Sequence, residues 1–472
     1  MPDNERMSTK SAPVSTHDPG LAGLLTAIFK TWENEGISFL ILRNYEDLPH
    51  GTTNDVDVLV SHSQHKSAER LMIQAAETRG YFLHNRVEFA TVSYFFYHPE
   101  SLCQIQIDLF SGIQWHAIAL ISTEEVLNRR LRKPLFSIPS PSDEAIISLL
   151  TRLIYRGHIR EKYKESILRG FQTQKEQTAR TLSKIFGRRL SAQIVELTLQ
   201  QNWDAIVSLN QKLRATLLLR RVTFHPFETT GAVMGDCLRL FRRIHRPAGL
   251  IVAVLGPDGS GKSTVAARAV ETLKNTFNPG KMLEVHWKPV VFFRNARKPT
   301  RKAVTDPHRR ASRSLAASLL FLSFHWIEFV IGSHFDFRRV TFKNGLVLID
   351  RYFYDFFVDQ RRYRLRAPRW ILSLMFLFVK KPDLIFLFNA SPEVLQGRKQ
   401  EVSYAETSRQ AAAFRELISR LPNATTLNAE KSIEEVSGDM VRHILNYLRR
   451  RQKERGSHGA FTCPPATAKT HP

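Results

Sequence analysis

Between residues 21 and 140, short apolar runs are broken by turn-forming residues, with helical spacing in between. Ile37–Leu42, Val56–Val60, Ala90–Tyr97 and Gln104–Phe110 read as strands. From 141 to 246 the period changes to that of a helix: Ala145, Ile146, Leu149, Leu150, Leu153 and Ile154 recur at i, i+3 and i+4. Ile194, Leu197, Leu199 and Ile206 continue in the same way. From 247 to 450 strand-like and helix-like segments alternate, which predicts a parallel α/β sheet flanked by helices. Arg246–Gly249, with its Pro and Gly, reads as the linker between the last two blocks. The polar ends, 1–20 and 451–472, read as disordered tails.

The chain has 472 residues, 43% hydrophobic and 24% charged, which is the composition of globular domains and excludes a disordered chain. Its charge balance is less ordinary, with 68 Lys and Arg against 44 Asp and Glu and a formal net charge of +24. Such a surface attracts polyanions, anionic lipid or phosphorylated substrates. No nucleic-acid recognition motif accompanies the charge, so specific nucleic-acid binding ranks last. Lys288 to Arg313 holds nine basic residues against Asp306 alone, and Arg361 to Arg369 holds five arginines. Leu315–Gly332 and Trp370–Phe388 are apolar, but His325, Glu328, Lys380, Lys381 and Asp383 interrupt them. They read as core elements, with a peripheral contact to an anionic membrane left open beside the basic segments. The three cysteines, Cys103, Cys237 and Cys463, have no metal-ligand spacing, and Met1–Gly20 has no apolar core. Both features fit a reduced, cytoplasmic protein.

Gly249–Leu255 is a continuous apolar run leading into Gly256-Pro-Asp258-Gly259-Ser260-Gly261-Lys262-Ser263-Thr264, followed by the helix-spaced Val265, Ala269, Leu273 and Phe277. This is a P-loop in its required strand–loop–helix setting. The glycines let backbone N–H groups face phosphate oxygens at a helix N-terminus. Lys262 is expected at the β- and γ-phosphates of ATP, and the Ser263 hydroxyl on Mg2+.

The loop, with Asp258 inside it, resembles that of thymidylate kinases. Gly345–Tyr352, a strand ending in Asp350-Arg351-Tyr352, resembles that family's second signature. Pro382–Val394 with Arg398-Lys399 resembles its next strand and the start of its lid. The resemblance spans about residues 248–448 and implies an ATP-dependent kinase. Asp258 would face the acceptor, Asp350 hold the Mg2+ shell, Arg351 clamp the acceptor phosphate and Tyr352 pack on the acceptor. Arg398 and Lys399 would close over the donor phosphates. Two segments depart from the family: Glu284–Pro289 replaces its Arg-Glu-Pro stretch, and Phe324–Phe329 its arginine-bearing acceptor helix. The acceptor is therefore left as a nucleoside monophosphate or another small phosphorylated or glycan-related molecule, and a homodimer is allowed. A slow nucleotide-hydrolysing switch docked on membrane or polyanion is the alternative.

In the first block, Asp55 and Asp57 flank Val56 and so share a face, and Asp108 on a neighbouring strand supplies a third carboxylate. Three such groups can hold the divalent metals of nucleotidyl transfer. The pattern resembles the nucleotidyltransferase superfamily, which implies an α+β domain at 21–140 and a helical companion at 141–246, with His158 structural. The family's Gly-Ser turn is replaced by Arg43-Asn44. The expected architecture is thus α/β: a P-loop NTPase sheet preceded by an α+β nucleotidyltransferase-like domain and a helical segment.

Overall fold

The computed structural model describes residues 19–52, 55–88, 91–115, 118–224, 226–289, 311–399 and 403–457. Most of the basic stretch after Lys288, Cys463 and the outer parts of both expected tails lie outside them. The chain divides into two compact units, one built from residues up to Arg239 with those from Glu454 onward, and the other from Leu240 to Lys453, so that α10 and α18 each cross a boundary.

The first unit opens with α1 (Pro19–Asn34), whose Leu24, Leu25, Ile28 and Trp32 are fully buried. Then come β1 (Phe39–Ile41), β2 (Val56–Val60), α2 (His65–Glu77), β3 (Phe82–Glu88), β4 (Val92–Tyr97) and β5 (Gln104–Phe110). They form a mixed sheet of order β1-β2-β5-β4-β3, in which only β2 and β5 run parallel. Two short hairpins follow, β6 (Gln114–Trp115) with β7 (Ile118–Ala119) and, after α3 (Thr123–Asn128), β8 (Leu131–Arg132) with β9 (Ser137–Ile138).

Helices then take over: α4 (Pro141–Arg156), α5 (Glu161–Thr173), α6 (Lys175–Phe186), α7 (Arg188–Leu199), α8 (Trp203–Ser208), α9 (Asn210–Phe224) and α10 (Pro226–His245). The first of these shows how sequence sets the boundaries. The Ser140 side chain accepts from Asp143 N at 3.2 Å, Pro141 sits at the first helical position, and Gly157 ends the helix in the left-handed region. The helices and the sheet share one core: Leu40, Leu42 and Leu59 pack in the same cluster as Ile146, Leu149, Leu153 and Ile194. The strand expected at Ile37–Leu42 is confined to Phe39–Ile41, and β3 was not expected.

The second unit has a fully parallel sheet, as the alternating pattern requires. Its elements are β10 (Leu250–Leu255), α11 (Lys262–Thr272), β11 (Leu283–His286), α12 (Leu315–Ile331), a π turn (Gly332–Asp336), α13 (Phe337–Thr341) and β12 (Leu346–Asp350). After them come α14 (Asp355–Val358), α15 (Arg369–Phe376), β13 (Leu384–Asn389), α16 (Pro392–Arg398), α17 (Tyr404–Ser419), β14 (Ala424–Asn428) and α18 (Ile433–Ser457). The strand order is β11-β12-β10-β13-β14. The last helix runs to Ser457, past the expected start of the tail. Every residue of β10 is buried, so covering helices hide both faces of the central strand. Gly249, read in sequence as linker, meets a packing demand: a Cβ there would lie 2.2 Å from Gly345 O.

Candidate functional site

The carboxyl ends of β10, β11 and β12 lie side by side, with Val254 and His286 both in register with Asp350. In an open parallel sheet this edge is where ligands bind. Leaving β10, the chain passes through Gly256, Gly259 and Gly261 at φ of 142°, 85° and 80°. A Cβ on Gly256 would lie 2.7 Å from Phe388 O, and one on Gly259 would lie 3.1 Å from Leu395 O and Lys399 Cβ. The loop thus lies close against β13 and the end of α16. Lys262 opens α11 and is buried; its ammonium donates to Gly256 O at 2.9 Å and Pro257 O at 2.7 Å. Burial pushes its pKa down, and the charges of Asp350 and Asp355 oppose that shift. Ser260 is buried, whereas Ser263 and Thr264 in the first turn of α11 are exposed.

Asp350 ends β12. Its Oδ2 lies 3.1 Å from His286 Nδ1, and this contact raises the pKa of His286. Its Oδ1 is buried without a hydrogen-bond partner, as is Asp355 Oδ1. An uncompensated carboxylate oxygen beside a buried lysine suits a hard cation with oxygen ligands, so Asp350 and Ser263 fit Mg2+. Arg351 follows in the left-handed region at φ 63°, a conformation that non-glycine residues adopt at local cost. That turn aims its guanidinium at Asp258, with which it forms an ion pair, and places it 3.5 Å from Asp355. Arg362 donates to the other Asp258 oxygen at 2.6 Å. Asp258 therefore holds two arginines, of which Arg362 is the more exposed, at 27% against 12% for Arg351.

Tyr352 does not line this space. It is fully buried and its hydroxyl donates to Lys380 O, so the expectation that it packs on an acceptor is corrected. Arg398 is exposed at the end of α16 and donates to Ala429 O at 2.8 Å. Lys399 lies beside Gly259.

The structure also joins the two segments that depart from the thymidylate-kinase pattern. Lys288 forms an ion pair with Glu328 of α12, and its ammonium lies 2.9 Å from His325 Nδ1. Burial lowers the pKa of His325, and Lys288 adds to that shift. Trp287, at φ 70°, stacks on Tyr363 with ring centroids 5.2 Å apart, and the Tyr363 hydroxyl donates to Asp355 at 3.2 Å. Asp355, Arg362, Tyr363, Trp287 and His286 were absent from the sequence-based site. His286 ends β11 and Trp287 follows it, but Asp355 opens α14 and Arg362 and Tyr363 lie in the segment after it, so no local pattern joins them before the chain folds.

In the first unit, Asp55, Asp57 and Asp108 each offer an oxygen within 4.8 Å of the other two. Parallel pairing of β2 with β5 sets Asp57 directly beside Asp108. Burial pushes both carboxyls up, Asp108 to about 7. Arg43 forms an ion pair with one Asp57 oxygen, while Oδ1 is buried and without a partner. All-oxygen donors suit Mg2+ or Mn2+. Arg152 adds a positive charge near Asp57. The Arg152 guanidinium lies 3.2 Å from the centre of the Tyr163 ring, and although burial pushes the phenol up, Arg152 and Lys162 bring it to about 8. His158 is exposed and sits against Arg156 O at 3.1 Å.

No protein-family model matches the chain, and no curated protein matches it. Among solved structures, it is similar to thymidylate kinase from Ehrlichia chaffeensis at 14% identity and a TM-score of 0.31, over 42% of this chain and 100% of that one. It is also similar to thymidylate kinase from Candida albicans at 17% identity and a TM-score of 0.31, over 43% of this chain and 93% of that one. Likeness at this level carries no argument about chemistry, so what the site can do follows from its own geometry.

Proposed function

We propose that the second unit is an ATP-dependent phosphotransferase that moves the γ-phosphate of ATP to a small phosphorylated acceptor, such as a nucleoside monophosphate. The observation that carries this reading is the arrangement at one sheet edge of a buried P-loop lysine, an orphaned strand-end carboxylate and two arginines held by the loop's own aspartate. Phosphoryl transfer asks for positioning and neutralisation of charge more than for covalent chemistry. The backbone N–H groups of Gly259–Thr264 would cradle the phosphates, and Lys262 would exchange its loop carbonyls for β- and γ-oxygens. Ser263 and Asp350 would hold Mg2+, which supplies neutralisation of the developing charge. Arg351 and Arg362 would receive an acceptor phosphate, and Arg398 with Lys399 would cover the donor side and keep out water.

The test is ADP release with ATP and Mg2+ across a panel of nucleoside monophosphates and phosphosugars. One acceptor should raise turnover by about two orders of magnitude or more, as expected when positioning supplies most of the rate, and Lys262→Ala should remove the response. Turnover that ignores every acceptor would instead favour a nucleotide-hydrolysing switch.

The partnerless Asp57 oxygen beside Asp55 and Asp108 favours a second reading, in which the first unit holds a divalent metal for nucleotidyl transfer. Arg43, already bound to Asp57, would then compete with the ion. Mn2+ binding followed by its paramagnetic signal, and lost in Asp57→Asn, supports that reading; no saturable binding removes it.

A further inference from the structure

Helix α12 carries two very different faces. Leu322, Phe329 and Phe337 just beyond it are fully buried against the sheet, and His325 and Glu328 meet Lys288. On the opposite side Leu320 is 76% exposed and Phe335, in the following π turn, 68%, with Phe324 and Ile327 between them. Helix α15 lies along the same element: Arg366 N donates to Ser318 Oγ at 3.1 Å, Trp326 Nε1 to Met375 O at 2.7 Å, and Lys380 N to Ser333 Oγ at 3.3 Å. It and the turn after it add a bare row, with Trp370 at 67% and Leu374 on the helix and Leu377 at 71% and Phe378 just past its end. Two adjoining helices thus expose a continuous apolar strip, larger than the scattered apolar side chains of an ordinary surface.

The strip's rim is predominantly basic, although half-buried Asp336 follows Phe335. Arg338 and Arg339 stand at one end, Arg366 and Arg369 at the other, and Lys381 just past α15, all exposed. No acidic residue occurs from Arg361 to Lys381. Arg361 and Arg369 also line, with Gln360 and Arg409, an open cleft of about 270 Å³ next to Trp370. Leu315–Thr341 is long and apolar enough to cross a membrane, but its inner side, with Leu322, Phe329 and Phe337, is packed on the sheet rather than open to lipid. A helix of this kind lies in the plane of an interface instead.

From this juxtaposition of a bare α12–α15 strip with a predominantly basic rim, we infer that the second unit docks on an anionic lipid surface. Trp370, Leu377, Leu320 and Phe335 enter the headgroup boundary, and the rim arginines and lysines engage lipid phosphates. Charge complementarity selects this occupant: a surface shared with a second copy of the chain would bring the two basic rims together.

The test is co-sedimentation of the full chain with vesicles of phosphatidylcholine alone and of equimolar phosphatidylcholine and phosphatidylserine. Binding should be confined to the second, weaken at high salt, and fall by about tenfold or more in Leu320→Ser/Leu377→Ser and in Arg366→Glu/Arg369→Glu. Thermal melting of each variant in the absence of lipid controls for folding. Tryptophan emission that shifts to the blue on anionic vesicles, and fails to do so in Trp370→Ser, locates the contact. Equal binding of wild type and both double variants overturns the inference. So does a wild-type dimer in sedimentation that dissociates in Leu320→Ser/Leu377→Ser while neither protein binds vesicles.

Discussion

Asp258 is the residue through which the P-loop reaches the rest of the site, since both of its oxygens are taken by arginines from other segments. Replacing it with Asn removes the charge but nearly preserves the shape. Arg351 and Arg362 would then be released to solvent or to each other's repulsion, and their positions would no longer be fixed for an incoming phosphate. Asp258→Asn is expected to raise the acceptor KM by about tenfold or more, the effect of losing a charge-assisted contact, with less effect on the KM for ATP; initial rates against each substrate separate the two. Gly259→Ala should do the reverse. At φ 85° and with a Cβ 3.1 Å from Leu395 O, alanine strains the loop by about 1–3 kcal/mol. The loss should fall on ATP affinity, measured by titration without acceptor.

At the level of elements, what could be read in the chain was whatever local pattern encodes. Val56–Val60 and Gln104–Phe110 appear as strands with those bounds, and β10, the P-loop and α11 follow in the order their residues require. Strand β3 escaped because its centre is polar: His84 and Asn85 are buried, and the register shifts between Leu83 and Asn85, which blurs the two-residue alternation. The Lys288–Glu328 and Trp287–Tyr363 pairs escaped for a different reason. Each joins segments far apart in sequence, and periodicity says nothing about which helix will face which strand end. Gly345 shows the same gap, since only the fold reveals that a Cβ there would lie 2.2 Å from Lys281 O and 2.6 Å from Val340 Cγ1. Gly345→Ala should destabilise the second unit by about 3 kcal/mol, the upper range for overpacking, seen as a lower denaturation midpoint at unchanged slope. Helix α2 offers a pH-dependent case in the first unit. Burial at its first residue holds the His65 pKa below the ordinary 6.5. The unfolded chain therefore takes up a proton there more readily than the native one, and the stabilisation is complete above pH 6.5 and lost as pH falls below it. Compared with His65→Gln, wild type should lose midpoint temperature progressively from pH 6.5 downwards, with the two converging to a constant difference above it.

For the whole molecule, each unit has an apolar core of its own: the sheet and helices up to Leu217 in the first, and residues from Ile251 to Ile418 in the second. Cooperativity in unfolding follows shared burial, so two units with separate cores should melt as two transitions. A ligand that binds only the native form of one unit raises that unit's transition alone. ATP with Mg2+ at about a hundredfold over its Kd should stabilise the second unit by about 2.7 kcal/mol, and Lys262→Ala should abolish the shift without moving the other transition. Mn2+ without nucleotide should raise the first unit's transition through Asp55, Asp57 and Asp108, and Asp57→Asn should remove that response. Scanning calorimetry of the full chain reads all four results in one series. A single transition that ATP shifts as a whole would mean that the units unfold together despite their separate cores. Two transitions with only the upper or lower one responding to ATP would assign the P-loop unit directly, and would let the two sites be studied in one protein without cutting it.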